Sequence, residues 1–408
     1  MTAPRLWIVT TGSRDSITGV NTHFLLVAAY ASRLGINTDV LTPYDDAKPL
    51  GRKALSGVAR LLSRAAPELA IPFKRRLLIG DLAKTLTRRR ELGCSAARLV
   101  LYAQDPASAL VALQVRHGQP TARVRVVFMA HFNNSEGEEH VGKGIAKAGG
   151  YATRWLANLE RAAIEGSDLV LTPSRFMHDV LAHRYASSSF ITKFDTVPNS
   201  TSPPETWEEL IGPYPESTDL INLATLEPRK NQAFLVNVVY QAHLLGAPLT
   251  LTLVGDGPDR TQLENLVARL GLTGFIRFTG NVPNARSLLR RARVYVHSAR
   301  MESFGISILE ALAVGIPVFA APVGGVVEVF TDGIEGRYWE LDDPVRAASV
   351  LVEVLREPET YNRMSRAASR RYSDHFSSQV VLPSLLAKVL DDTTLLERGL
   401  PFSAGSKP

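Results

Sequence analysis

Two glutamates, Glu302 and Glu310, lie eight positions apart across a glycine turn, a spacing that suits a polar ligand site. A short apolar strand runs into Glu302, and the turn at Gly305 opens a predicted helix that carries Glu310 one turn after its start. Helical side chains lean toward the helix N-terminus, so both carboxylates should face one small volume. The free N–H groups of Gly305, Ile306 and Ser307 should point into it as well and form an anion site. A diphosphate there, with carboxylates accepting hydroxyl hydrogens on either side, describes a sugar nucleotide.

Other interpretations of the reactive residues are weaker. A lone glutamate pair, without further context, is better explained as a loop charge and a solvated helix residue. The glycines after the strand ending at Val254 lack the third glycine of a dinucleotide fingerprint, because Arg260 takes its place. A P-loop-like spacing at 137–144 lacks the hydroxyl that would hold magnesium. The single cysteine, Cys94, excludes an internal disulfide and a four-cysteine zinc site.

The elements that must position these residues alternate between short apolar runs and longer amphipathic segments. Strands separated by helical segments predict parallel sheets with crossover helices, and therefore an α/β protein. A proline-rich stretch at 198–215 interrupts the alternation, which then resumes. From Asp343 to about Glu397 the sequence pattern predicts helices. The predicted strands are 5–10, 37–42, 98–102, 123–129 and 168–171 before the interruption, and 220–223, 249–254, 275–278, 294–296 and 317–320 after it.

A chain of 408 residues suits two domains, and the alternation predicts two doubly wound, Rossmann-like ones. The expected boundaries are 1–200 for an N-terminal acceptor-binding domain, 201–217 for a linker and 218–375 for a C-terminal nucleotide-binding domain. Residues 376–408 are expected to form a helix and tail that pack back on the N-terminal domain. Ligands of such sheets bind at the carboxyl ends of the strands, so the cleft between the two domains is the expected binding place.

The composition is that of a globular protein with real cores, at 45% apolar and 21% charged residues. The longest uncharged stretch, 311–327, contains prolines and glycines and is not suited to span a membrane. One cysteine fits a reducing compartment, so a cytoplasmic location is expected, with peripheral contact at the inner face of the membrane left open.

A basic block lies between Lys48 and Arg98, where thirteen Lys and Arg stand against three acidic residues, a local balance of +10 within a net charge of +6. Apolar residues recur there at helical spacing. One interpretation is two helices packed on the core with solvated basic faces. The other, slightly favoured, is a surface that lies on anionic lipid. Nucleic-acid binding is not expected, because interleaved exposed aromatics are missing.

The surroundings of the two glutamates resemble the donor-site motif of the retaining glycosyltransferases of family 4. The resemblance is clear over about a third of the chain and looser in the amino-terminal half, where Gly19-Val20, His131, Ser174 and Asn199 carry it. The clear matches are Glu-Pro-Arg-Lys-Asn at 227–231, Leu-Val-Gly-Asp-Gly-Pro at 253–258, Phe-Thr-Gly-Asn-Val at 278–282, Glu-Ser-Phe-Gly at 302–305, Leu-Glu-Ala-Leu-Ala at 309–313, and Gly315, Pro317, Val318, Gly324 and Gly325.

The resemblance implies the GT-B fold, two facing Rossmann-like domains, and assigns roles at the donor diphosphate. Lys230 would neutralise it, and Gly19 would let the first loop approach the phosphates. The family commonly has an arginine where this chain has Thr225, and Arg229 is the candidate to replace its charge. Gly255, Ile306 and Ser307 complete the expected donor-binding residues.

Further roles concern the sugar and the ribose. Glu310 would bind the ribose hydroxyls and Glu302 the donor sugar, with the amides of Phe304 and Gly305 contacting other sugar hydroxyls. His131 matches a family histidine near the bond that breaks, and an ordinary loop histidine is an equally good interpretation. Lys230, Glu302 and His131 are thus the expected catalytic residues.

The implied activity is retaining transfer of a sugar from a UDP- or GDP-sugar to a hydroxyl of a glycan, lipid-linked or small-molecule acceptor, as in polysaccharide or glycolipid biosynthesis. No metal and no other cofactor is expected, because a lysine and helix-end amides stabilise the departing diphosphate. Two alternatives are a sugar-nucleotide epimerase of the same fold and a non-catalytic scaffold that binds sugar nucleotides or membranes.

Overall fold

The computed structural model describes residues 4–15, 18–45, 57–59, 61–91, 98–118, 123–185, 193–207 and 217–396. These residues fall into two compact units: residues 4–198 together with 382–396 form unit 1, and 199–381 form unit 2. Most of the predicted linker, at 208–216, and the tail at 397–408 lie outside the described residues. So do positions 48–56, 60 and 92–97 of the basic block.

Unit 1 contains a parallel six-stranded sheet in the order β2-β1-β3-β4-β5-β6. All five strands predicted for this part of the chain are present; the three-residue edge strand β6 was not predicted. Because the order reverses between β1 and β3, the loops after these strands meet, and the Thr11 N–H donates to Asp105 Oδ2 at 2.8 Å. The strands are β1 Arg5–Val9, β2 Asn37–Leu41, β3 Leu99–Ala103, β4 Val124–Met129, β5 Leu169–Thr172 and β6 Phe194–Thr196.

Among the described residues, six helices of seven or more residues accompany the sheet of unit 1. The α2 helix is 25 residues long and turns Leu82 and Leu86 into the core, where they pack with Val9 and Leu101. Residues 57–59 and 61–65 are also helical. The helices are α1 Gly19–Arg33, α2 Pro67–Glu91, α3 Pro106–His117, α4 Glu136–Gly142, α5 Tyr151–Gly166 and α6 Arg175–Arg184.

Unit 2 repeats the architecture with a second parallel sheet, in the order β12-β11-β10-β7-β8-β9. All five strands predicted here are present, and the short edge strand β12 was again missed. The order reverses at β7, which lies between β8 and β10, so the loops after β7 and β10 open at one point of the sheet edge. The strands are β7 Thr218–Leu223, β8 Leu251–Val254, β9 Ile276–Gly280, β10 Ala292–His297, β11 Val318–Ala320 and β12 Gly336–Tyr338.

The carboxy-terminal part is helical, as predicted from Asp343 onward. The last helix, α13, begins in unit 2, and from residue 382 it belongs to unit 1. There Lys388 Nζ lies 2.6 Å from Asp195 Oδ2, and Asp391 pairs with Arg98 and Arg125 at 3.1 and 3.5 Å. The helices that follow β7 are α7 Gln232–Leu244, α8 Arg260–Arg269, α9 Ile306–Ala313, α10 Val326–Val329, α11 Pro344–Arg356, α12 Pro358–His375 and α13 Ser378–Leu390.

Across the described ranges, no helix combines the length and apolar character needed to span a membrane.

Candidate functional site

The loops that follow β7 and β10 carry Lys230 and Glu302, and the reversal of strand order brings them together. Lys230 Nζ and Glu302 Oε2 are 2.6 Å apart. The Ser298 hydroxyl donates to the Lys230 carbonyl oxygen at 2.8 Å, and the Arg300 N–H donates to the Arg229 carbonyl oxygen at 2.9 Å. These bonds tie the two loops to each other, so residues 72 positions apart in sequence form one site.

The Lys230–Glu302 ion pair is largely withdrawn from solvent, with side-chain exposures of 15% and 12%. Burial by itself would raise the pKa of Glu302. The combined effects of Lys230, His297 and Arg229 outweigh burial and hold the pKa of the Glu302 carboxyl well below its usual range. The Glu302 carboxyl is therefore ionised near neutral pH, and an anion that approaches Lys230 must compete with Glu302 for it.

His297, the last residue of β10, is a member of this site that the sequence analysis missed. Its Nε2 lies 3.4 Å from the same Glu302 oxygen that contacts Lys230, and the residue is 1% exposed. Burial lowers the pKa of His297, and the neighbouring cations lower it further, against the opposing effect of Glu302. The available signal was its position: it ends a buried strand immediately before the glutamate motif.

Arg229 lies in the same loop, with its side chain only 9% exposed. Its Nη2 and Nε contact Glu227 Oε1 at 2.7 and 3.1 Å, and its Nη1 donates to the Met301 carbonyl oxygen at 3.4 Å. Arg229 is therefore a second cation in the Lys230 loop, and its replacement of the arginine absent at Thr225 stays a prediction. It also shows that Glu227 balances this cation, a contact that the sequence analysis missed.

The start of α9 has the geometry that the sequence predicted. Gly305 is the residue before the helix and has a φ of 95°, a conformation that glycine adopts readily and other residues rarely do. A Cβ at this position would lie 2.9 Å from Ile308 Cδ1. The first amides of the helix, including those of Ile306 and Ser307, have no acceptor within it and are oriented for an anion. The Phe304 side chain packs in the core against Phe376, so only its backbone suits a ligand.

Glu310 lies on α9 and is 8% exposed. Burial raises its pKa to about 7, and the positive charge of Arg286 opposes the shift. Both Glu302 and Glu310 contribute to a raised pKa of the buried Tyr295, after the larger effect of burial, so both carboxylates act on one residue of β10. The Tyr295 hydroxyl donates to Ser307 Oγ at 2.6 Å and joins the strand to the helix start.

Gly255 follows β8 beside the same loops. Its φ is 133°, and a Cβ there would overlap the carbonyl oxygen of Ala224, the first residue after β7. Only glycine allows this close approach of the two chain segments. Its N–H donates to the Gly280 carbonyl oxygen at 2.9 Å.

Two predicted residues, Gly19 and His131, lie in unit 1. Gly19 is the exposed first residue of α1, and the Thr18 side chain caps the helix by accepting from the Asn21 N–H at 3.2 Å. His131 follows β4, with its Nε2 3.1 Å from Gln104 Oε1 and its ring 4.9 Å from that of His23. Burial, and secondarily His23, keep the pKa of His131 well below its usual value, so the ring is neutral near neutral pH.

Only some of the side chains in the basic block are exposed to solvent. Arg75 points inward from α2 and forms an ion pair with Glu136 and a hydrogen bond to Thr11 Oγ1. The apolar stripe of α2 is likewise buried, which agrees with the core-packed interpretation of this helix. Other side chains remain exposed in the described part of the block: the basic Arg64, Lys74, Arg76, Lys84, Arg88 and Arg89, and the apolar Val58, Leu61 and Leu69.

Among the described residues, no group of three or more His, Cys, Asp or Glu side chains is placed to hold a metal ion.

Two family models match the chain, and each falls almost entirely within one unit. Residues 17–202 match the model described as Glycosyltransferase Family 4, and residues 205–371 match that of Glycosyl transferases group 1. The second match contains the Lys230, Glu302 and Glu310 positions.

Curated relatives are similar over shorter stretches. N-acetyl-alpha-D-glucosaminyl L-malate synthase of Bacillus anthracis is 31% identical over 132 residues, which are 32% of this chain and 35% of that protein. D-inositol 3-phosphate glycosyltransferase of Geodermatophilus obscurus is 37% identical over 150 residues, or 36% of this chain and 31% of that protein. The matches therefore span about a third of each relative's length.

Solved structures share the fold over nearly the whole chain. HepE of Anabaena, crystallised with UDP and glucose, has a TM-score of 0.67 and 17% identity, covering 95% of this chain and 99% of that one. Sucrose-phosphate synthase of Thermosynechococcus elongatus has a TM-score of 0.73 and 17% identity, covering 95% and 98%. With two parallel six-stranded sheets, the motifs of unit 2 and the two family matches, the chain belongs to the family 4 glycosyltransferases of GT-B fold.

Proposed function

We propose that this protein is a retaining glycosyltransferase that moves a sugar from a UDP- or GDP-sugar to an acceptor hydroxyl. The observation that carries the proposal is the desolvated Lys230–Glu302 pair beside the start of α9. A cation, free helix amides and a carboxylate in one place suit a ligand that is anionic at one end and rich in hydroxyls at the other.

Each residue of unit 2 then has a distinct role toward the donor. Lys230 and the amides of Ile306 and Ser307 hold the diphosphate. Glu310 accepts hydrogen bonds from the ribose hydroxyls. Glu302 accepts from the donor sugar, and the backbone at Phe304 and Gly305 contacts its other hydroxyls. Arg229 supports the charge balance behind Lys230, and Gly255 allows the chain segments after β7 and β8 to approach each other beside the site.

The chemical step is departure of the nucleotide diphosphate, whose negative charge grows as the glycosidic bond breaks. Preorganised donors aimed at that charge lower the barrier, and Lys230 and the helix amides are such donors. The acceptor hydroxyl forms its bond to the sugar on the face that the diphosphate leaves, and a diphosphate oxygen takes the hydroxyl proton. From the family resemblance, Gly19 is proposed to contact the phosphates and His131 the sugar. We propose that transfer requires no resident metal.

The acceptor is proposed to be a glycan, a lipid-linked molecule or a small molecule with a free hydroxyl. The relatives are named for L-malate, D-inositol 3-phosphate and, in the Arabidopsis thaliana protein that is 31% identical over 162 residues, phosphatidylinositol. These names include both small-molecule and lipid acceptors, so we propose only that the acceptor of this protein has a free hydroxyl.

A thermal-shift panel of UDP, GDP, ADP and their common sugars tests the donor class. A nucleotide that binds only the folded state stabilises it by about 2.7 kcal/mol at a hundredfold excess over its Kd. We expect the uridine or the guanosine series to raise Tm and the ADP series not to. Nucleosides without phosphates serve as the control, because they lack the charge that Lys230 binds. The absence of a shift with every diphosphate would overturn the proposed function.

Incubation of the binding donor without an acceptor separates the proposed activity from epimerisation. A transferase leaves the sugar configuration unchanged, whereas an epimerase produces an altered free or nucleotide-linked sugar. Formation of such a sugar from UDP-N-acetylglucosamine alone would favour the epimerase.

We further propose that the exposed part of the basic block contacts anionic lipid. The support is the exposed basic and apolar side chains of α2 and of the residues before it. Since Arg75 and the Leu82–Leu86 stripe face the core, this contact rests on fewer groups than the sequence count of +10 indicates.

Sedimentation with anionic vesicles tests this contact. We expect binding at low salt that weakens as salt rises, because each Lys or Arg near the bilayer contributes on the order of 1 kcal/mol within a Debye length. Reversing Arg88 and Arg89 to Glu should weaken binding roughly tenfold or more. Reversing the exposed Arg366 and Arg370 of α12 to Glu makes the same charge change in unit 2 and should have little effect. Wild-type protein that stays in the supernatant would identify the block as a solvated face.

A further inference from the structure

His297 is a buried titratable residue with no role in the proposed transfer. Tyr295 of the same strand lies beside its ring, with 6.4 Å between the ring centroids, and the Trp339 indole N–H donates to its carbonyl oxygen at 3.1 Å. Neither ring nitrogen completes a hydrogen bond within the described structure. The side chain is therefore fixed in place with unused hydrogen-bonding capacity, facing Glu302.

One carboxylate oxygen lies between His297 and Lys230. Glu302 Oε2 is 2.6 Å from Lys230 Nζ and 3.4 Å from His297 Nε2. The first distance is that of a charge-assisted hydrogen bond, whereas the second exceeds the roughly 2.7–2.9 Å typical of one. In the ligand-free protein, Lys230 is thus the main partner of the buried carboxylate.

The charges around His297 favour its neutral form as long as this arrangement persists. Besides burial, the positive charges of Lys230 and Arg229 oppose protonation, and Glu302 favours it. Tyr295, whose pKa burial raises, is uncharged near neutral pH. A diphosphate at Lys230 reverses this balance, because its negative charge offsets both cations and draws Lys230 away from Glu302.

We propose that binding of the donor diphosphate is coupled to protonation of His297, which then takes over Glu302 as its hydrogen-bond partner. The inference rests on the proposed function of Lys230 and Glu302. A buried carboxylate that loses its main partner is costly, and a proton taken from solvent onto His297 supplies a replacement. His297 is thus a positioning residue: it keeps Glu302 ionised and oriented toward the donor sugar after Lys230 has turned to the phosphates.

The sign of the pH dependence follows from this coupling. The pKa of His297 is higher in the complex than in the free protein, so between the two values donor binding takes up a proton. Affinity then rises as pH falls, by at most about tenfold per pH unit for one proton. Glu310, with a pKa of about 7, acts in the opposite direction if it accepts from ribose, since its protonation on acidification removes that acceptor. A variant of His297 separates the two effects.

Isothermal titration calorimetry with UDP-glucose near neutral pH, in buffers of different ionisation enthalpy, measures the protons exchanged. The diphosphate of UDP-glucose is substituted at both ends and does not itself titrate in this range. We expect wild-type protein to take up a measurable fraction of a proton more than His297→Gln. The matched control is His243→Gln, at a half-buried histidine of unit 2 that lies edge-to-face with Phe275, and this variant should match the wild type.

A measurement on wild-type protein guards against misfolding of the variant. Histidine-labelled NMR should show the ring of His297 neutral in free protein and protonated in the complex at the same pH. If UDP-glucose binds with equal proton uptake in wild type and His297→Gln, or the ring stays neutral in the complex, the coupling is wrong while the proposed function stands. If no nucleoside diphosphate sugar binds, the proposed function fails and the coupling with it.

Discussion

Replacing Lys230 with Gln is expected to lower turnover by roughly 10² or more, the effect of deleting one preorganised charge-stabilising group. Gln keeps a hydrogen-bond donor toward Glu302 and removes the charge that the diphosphate needs. Lys230→Ala removes both, leaves a buried carboxylate with His297 as its remaining neighbour, and should also lower the stability of unit 2. Comparing the two variants separates catalysis from folding.

Steady-state kinetics, calorimetry with the nucleoside diphosphate and thermal unfolding together measure these effects. Arg277→Ala removes one positive charge from an exposed position on β9 and should behave as wild type in all three. Donor affinity that is unchanged in Lys230→Gln would contradict the assignment of Lys230 to the diphosphate.

The second large effect is expected from substitutions of Glu302 and Glu310, which should impair different steps of the reaction. Glu310→Ala should weaken binding of the plain nucleoside diphosphate, because the ribose that it contacts is present with or without the sugar. Glu302→Gln should leave that binding nearly intact and depress transfer on the scale of a lost transition-state contact, roughly 10²-fold, because it contacts only the sugar. Gln is chosen at 302 because it retains a carbonyl oxygen for Lys230.

Calorimetric titration with the plain diphosphate and turnover with saturating donor distinguish the two roles. Exposed acidic residues offer a control: Glu264 on α8 pairs only with Arg260 in the described contacts, and Glu264→Gln should change neither quantity. Equal loss of nucleotide affinity in Glu302→Gln and Glu310→Ala would show that the division of roles is wrong.

Much of the fold follows from sequence because the strands are apolar runs separated by helical periodicity. All ten predicted strands are present; the two that were missed, β6 and β12, have three residues each and lie at sheet edges. A run of three residues contains too little alternation to be distinguished from a loop. The burial of Arg75 was not predictable from its own helix either, because the partner that compensates its charge, Glu136, lies 61 positions away.

The candidate site likewise combines features that follow from local sequence with features that do not. Local geometry at the start of α9, including the need for glycine at 305, follows from the spacing of the motif. The Lys230–Glu302 contact depends on the order of strands in the sheet, which hydrophobic periodicity does not determine. Lys230 was assigned to the site only through the family resemblance. His297 has no motif at all, since its significance comes from one oxygen atom that it shares with a lysine on another loop.

The packing of the end of α13 in unit 1 has consequences for folding during translation and for the design of chimaeras. Lys388 and Asp391 supply partners for Asp195, Arg98 and Arg125, which are synthesised long before them. During translation, unit 1 therefore completes its contacts only after residues 199–381 have been made. The described residues of unit 2 are contiguous in sequence and can fold as soon as they emerge. A chimaera that exchanges only the amino-terminal half with a relative would separate unit 1 from its own closing segment. The exchangeable module is the amino-terminal half together with the carboxy-terminal helix.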